Sequence, residues 1–181
     1  MRTSSFKPLI VSLLAGLALA ACSPQFNWRD YSSQDAPFRV MFPDKPATHA
    51  REVDLNGMKV KMTMTAAQVE GIMFAVGSGE APDADKAEAA VTAMKTALVR
   101  NIGATIKSEK QGKSSAAAGS ATARSSAIDI DATGVQKGAP MRLIGHFESR
   151  GKRFYQVIVM GEEKKISQEQ VDMFMSSFKL Q

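Results

Sequence analysis

The chain has 181 residues, of which 44% are hydrophobic, 23% charged and 7% aromatic, too apolar for a disordered chain and too polar for a multi-span membrane protein. That length suits one compact domain that buries a core without cross-links. Two of the 23 basic residues, Arg2 and Lys7, lie in the first seven positions, so beyond them 21 basic residues face 18 acidic ones and the formal charge of +5 falls to +3. A residual charge that small weakens the nucleic-acid reading that a basic chain invites, and no nucleic-acid partner is expected.

Met1 to Lys7 holds no acid, and Pro8 to Ala21 then runs almost without polarity. About 13 apolar residues fall short of the roughly 20 needed to cross a bilayer, and a basic start before a short apolar core is the pattern of an export signal. The segment ends in Leu19-Ala20-Ala21-Cys22. These residues resemble the lipobox of bacterial lipoproteins: Leu, then Ala, Ser or Thr, then Gly or Ala, then Cys. The resemblance implies a signal peptide over 1–21, cleavage before Cys22, a diacylglycerol on its sulfur and an acyl chain on the new amine. Ser23, where the family's inner-membrane retention rule has Asp, implies delivery to the outer membrane with the domain in the periplasm. Acyl chains contribute about 0.8 kcal/mol per buried methylene, so two or three hold a protein effectively permanently. Cys22 is the only cysteine, so the remainder of the chain has no disulfide and no thiolate for catalysis or metal binding.

Residues 22–35 read as a lipidated tether, polar but interrupted by Phe26, Trp28 and Tyr31, of which Trp28 and Tyr31 are expected to pack on the domain. A single globular domain over 36–181 follows. Phe38 to Phe42 alternates as a strand and stops at Pro43, with Pro46 beyond. Arg51 to Leu55 and Met58 to Thr65 flank Asn56-Gly57, the strongest short hairpin signal, whose two-residue turn pairs Leu55 with Met58 and Val53 with Val60 on one apolar face. A further strand covers Ile72 to Ser78. Asp85 to Ile102 reads as a helix, with Asp85 and Glu88 as a capping box, Gly103 at the end, and a stripe of Ala87, Val91, Met94, Leu98 and Ile102 for a sheet. Strands resume at Ala104–Glu109 and Thr122–Ala132 around a Gly/Ser/Ala-rich loop over Gln111 to Ala121. Met141–Glu148 and Arg153–Met160 form a hairpin about Arg150-Gly151. The last helix starts at Ser167, with Gln170 completing a capping box, and presents Val171, Phe174 and Phe178 to the core.

The fold class is therefore α+β, an antiparallel sheet of about six to seven strands with two main helices packed on it. Phe38-Arg39-Val40-Met41-Phe42-Pro43 with Pro46, and the ending Phe174-Met175-Ser176-Ser177-Phe178, resemble the opening strand and last helix of bacterial proteins with the PsbP/Mog1 fold. The resemblance spans most of Pro37 to Lys179. It implies an α-β-α sandwich and an accessory, non-catalytic binding protein, with no catalytic residue to carry over.

The chemistry-bearing residues are few. His49 lies at a strand edge and reads as solvated. His146 and Glu148 share one strand face, an arrangement able to hold a metal or relay a proton, although two ligands without a third make a poor metal site and polar pairs on an outer sheet face are routine. Asp129 and Asp131 alternate with Ile128 and Ile130 and so share one face of their strand, as calcium ligands or acid–base partners would, or as a solvated face does. Met62 and Met64 present two thioethers of the kind that suits Cu(I), and with His146 they form the leading metal set, while the same spacing fits a core face. Arg142, Arg150, Lys152 and Arg153 gather around one hairpin as a candidate anion-binding tip. No hydrolase elbow, phosphate-cradling loop or zinc-protease helix occurs. We therefore expect no enzyme and no cofactor. The partners expected are the membrane, through lipid on Cys22, and an envelope protein. The alternative is a small-ligand or copper-binding lipoprotein.

Overall fold

The computed structural model describes residues 25–112 and 125–181, so Leu19, Ala20, Ala21, Cys22 and most of the predicted 111–121 loop lie outside the described residues. Five strands precede the first helix: β1 (Arg29–Ser32), β2 (Phe38–Phe42), β3 (Ala47–Leu55), β4 (Met58–Val69) and β5 (Ile72–Glu80). Helix α1 (Ala84–Asn101) leads to β6 (Thr105–Gln111), β7 (Ser125–Gln136), β8 (Ala139–Arg150) and β9 (Arg153–Glu162). A single 3-10 turn, Glu163–Lys165, then enters α2 (Gln168–Ser177), and β10 (Lys179–Leu180) ends the chain. The class is α+β. Seven strands form an antiparallel sheet in the order β3-β4-β5-β9-β8-β7-β6, and β1-β2-β10 form a second, three-stranded sheet. Among the described residues no helix is long and apolar enough to cross a membrane.

Local chemistry explains most element ends. Asn56 and Gly57 both take positive φ, 56° and 85°, the turn geometry whose twist matches paired strands. Leu55 then faces Met58 and Val53 faces Val60, as the sequence predicts. Ser167 and Gln170 cap α2 reciprocally, again as predicted. The cap of α1 differs. Asp83, in extended conformation, accepts the Lys86 N–H at 2.8 Å, so the helix starts at Ala84 and the Asp85–Glu88 box is not its cap. The preceding strand β5 runs to Glu80, two residues beyond the Ser78 that alternation suggests, and Pro82 stands between it and the cap.

Tertiary pairing supplies what alternation did not reveal. Phe38–Phe42, predicted as part of the main sheet, instead pairs with β1 and β10 in the small sheet. Arg29–Ser32, assigned to the tether, is thus a strand of the fold. Phe178 is buried as expected, but as the residue that closes α2, with β10 following. β7 and β8 also run beyond their predicted ends and meet in a hairpin through Lys137-Gly138, where both residues have positive φ.

Two cores result, one on each face of the large sheet. On one face α1 buries Ala87, Ala90, Val91 and Met94 against Leu143, Phe147, Phe154 and Ile158. On the other, α2 and the small sheet cover Phe74, Val76, Tyr155 and Val157 with Phe38, Phe42, Phe174 and Phe178. Phe174 meets Phe74 edge-on at 5.4 Å and Phe42 at 5.5 Å between ring centres. Full burial of each such ring is worth about 1.5–3 kcal/mol. Ser177 secures the end of α2 by accepting the Met41 N–H at 2.9 Å and donating to the Phe174 carbonyl at 2.7 Å.

Candidate functional site

β8 carries Ile144, His146 and Glu148 on the face that α2 and the small sheet cover. Register sets Asp129 of β7 opposite His146, and Lys110 of β6 opposite Asp129. His146 Nδ1 lies 2.7 Å from Asp129 Oδ1, and its Nε2 lies 3.1 Å from Glu148 Oε2. Glu148 is fully buried and His146 is 8% exposed. The solvated outer face expected for this pair is therefore a covered one, because a second layer of structure lies over it.

Burial by itself pushes the imidazole toward its neutral form, but hydrogen bonds and charge from Asp129 and Glu148 outweigh it and raise the pKa from 6.5 to about 9. At neutral pH the ring is thus an imidazolium that donates both N–H groups to carboxylates. A ring so engaged holds the strands in register and has no lone pair free to act as a base. Burial also pushes the phenol of Tyr155, opposite Glu148 on β9, up to about 12.

The far wall is α2, which contributes Asp172, Met175 and Ser176. Between these residues and Lys110, Asp129 and His146 lies a cleft of about 490 Å³. An adjoining hollow of about 240 Å³ continues it past Ile144 and Gln168. The floor thus mixes a fixed imidazolium, carboxylates and one lysine, with Met175 as an apolar wall.

The other predicted residues are dispersed. Asp131 does not work with Asp129, because it forms a two-point ion pair with Arg142 at 2.8 and 3.2 Å. Arg142 lies eight residues along β8 from Arg150, roughly 27 Å at strand rise, and does not join the hairpin tip. At that tip Lys152 is exposed and Arg153 sits 3.5 Å from Glu80. Met62 and Met64 face α1, on the opposite side of the sheet from His146. Their side-chain ends close over Gly77, where a Cβ would overlap them, and Gln156 Nε2 lies 3.5 Å from the Met64 sulfur. The spacing that suggested Cu(I) is here the packing of two thioethers into the space of a missing side chain. His49 is exposed on β3, four strands from His146 and on the other face. Among the described residues no group of three or more His, Cys, Asp or Glu is placed to hold a metal.

Lys110, Asp172 and Met175 were not visible as site residues in the sequence. Lys110 becomes one only through strand order, and Asp172 and Met175 only through the docking of α2. No protein-family model matches the chain, and no curated protein matches it.

Proposed function

We propose that the chain is a bacterial outer-membrane lipoprotein of PsbP/Mog1-like fold, lipidated on Cys22, that acts in the periplasm as a non-catalytic binding or envelope-accessory protein. The lipobox carries the anchor, and one helix on each face of a seven-stranded sheet supports the fold. The observation that carries the binding role is the cleft beneath α2. It offers charge of both signs and an apolar wall, and its only histidine is held by two carboxylates. Such a floor suits recognition of a polar segment of an envelope protein better than bond-breaking chemistry.

Site-directed photo-cross-linking in intact cells tests this. A photoreactive residue in place of Ser176, at the mouth of the cleft, is expected to give one discrete adduct that disappears with Lys110→Glu. The same group in place of Lys59, exposed on β4, is expected to give none. Recovery of the Ser176 variant without any adduct, or adducts indifferent to Lys110→Glu, removes the cleft as the binding site.

A further inference from the structure

Only two large hydrophobic side chains are strongly exposed among the described residues, Val135 at 66% and Met173 at 40%. Val135 stands on β7 at the base of the β7–β8 turn, directly opposite Pro140, which is also exposed. Between them Lys137 and Gly138 make the turn with φ of 52° and 80°. The sequence therefore places an apolar pair and a lysine on a projecting two-stranded ribbon, where polar residues are the rule.

Strand register shows which way this ribbon points. Phe74, Val159, Ile144 and Asp131 lie at one level across β5, β9, β8 and β7. Val135 is four residues beyond that level, roughly 14 Å at strand rise. Followed toward its start, the chain leaves β1 at Arg29 opposite Phe42, and Trp28 and Phe26 then pack on Phe74. It is heading toward the same end of the sheet. The Asn27 N–H is bonded to the Pro43 carbonyl at 2.8 Å, and Cys22 is five residues earlier, within about 18 Å even when fully extended. Met173, the other exposed hydrophobe, borders a hollow that Phe26 and Trp28 line.

We infer that the β7–β8 hairpin tip, with Val135 and Pro140, rests in the bilayer that holds the lipid on Cys22. The inference depends on the lipoprotein reading above. It orients the domain: the tip is a second membrane contact beside the anchor, with Lys137 reaching the headgroups. The basic tip at Arg150, Lys152 and Arg153 is at the other end of β8, about 40 Å away along a 12-residue strand. It faces the periplasm, and so does the mouth of the cleft part-way along the sheet.

The full-length lipidated protein provides the test, because acylation blocks the sulfur of Cys22 and leaves an introduced cysteine as the one reactive thiol. Val135→Cys and Lys152→Cys are each labelled with a polarity-sensitive fluorophore and reconstituted into phosphatidylethanolamine/phosphatidylglycerol vesicles. The label at 135 is expected to shift to the blue and to be quenched by nitroxide lipids, and the label at 152 to stay aqueous and open to iodide. Intact mass reports the acyl chains independently. An acylated protein whose label at 135 behaves like that at 152 overturns the hairpin contact and leaves the anchor standing. A protein without acyl chains, in which Cys22 itself takes label, overturns the anchor and the inference together.

Discussion

His146 is the residue on which the candidate site depends, and its charge has a measurable consequence. Its pKa is about 9 in the folded protein and 6.5 as a free imidazole, so folding stabilises the protonated form. That contribution is complete below about pH 6.5 and is lost as pH rises through about 9. At about 1.4 kcal/mol for each tenfold change in proton affinity, the loss is on the order of 3 kcal/mol. Thermal melts from pH 6.5 to 9.5 should show a falling Tm that His146→Gln flattens, and the His146 ring resonance should titrate near pH 9 in the folded protein. A ring that titrates near 6.5 rules out the two-carboxylate clamp. The shared face of His146 and Glu148 was legible from their spacing of two. Asp129 as the third member was not, because a partner 17 residues away is chosen by strand register.

Among the elements, α2 matters most for the site, since it forms one wall of the cleft and only ten residues build it. A helix that short is marginal without its caps and its packing. Ser167 accepts the Gln170 N–H at 3.3 Å, and the Gln170 side chain returns to the Ser167 N–H at 3.2 Å. Ser167→Ala should cost about 1 kcal/mol and speed amide exchange across Gln168–Ser177, while α1, with its own cap at Asp83, keeps its protection. Equal loosening of both helices would show that α2 does not open on its own. The cap of α2 was readable because Ser and Gln at that spacing stand directly before an apolar stripe. The cap of α1 lies two residues before the Asp85 that the capping-box spacing indicates, because Asp83 and Asp85 offer the same side chain and the spacing does not choose between them.

At the scale of the molecule, the proposed anchor and the covered sheet form one proposed arrangement: Phe26, Trp28 and the apolar β7–β8 hairpin lie toward one end of the sheet, the basic tip lies at the other, and the cleft lies along the sheet between them. Cys22→Ser should leave an uncleaved precursor that keeps residues 1–21, heavier than the mature chain and without acyl groups. Mass spectrometry of the cell fractions checks this. A variant that still matures and still fractionates with the outer membrane would show that the lipobox is not used. With one cysteine in the chain, reductant should leave the Tm of the domain unchanged.

The sequence by itself determined the class and most of the elements. Turn residues, caps and periodicity act over a few neighbouring positions, as at Asn56-Gly57 and Ser167-Gln170, and so they are written locally. Tertiary structure alone decided that Phe38–Phe42 leaves the main sheet, that Arg29–Ser32 pairs with it, and that His146 lies under a second layer. It also separated Met62 and Met64 from His146 and joined Asp131 to Arg142. Alternation tells which residues share a face of one strand. Which strand lies beside it, and what covers that face, are fixed by burial and pairing among residues distant in the chain.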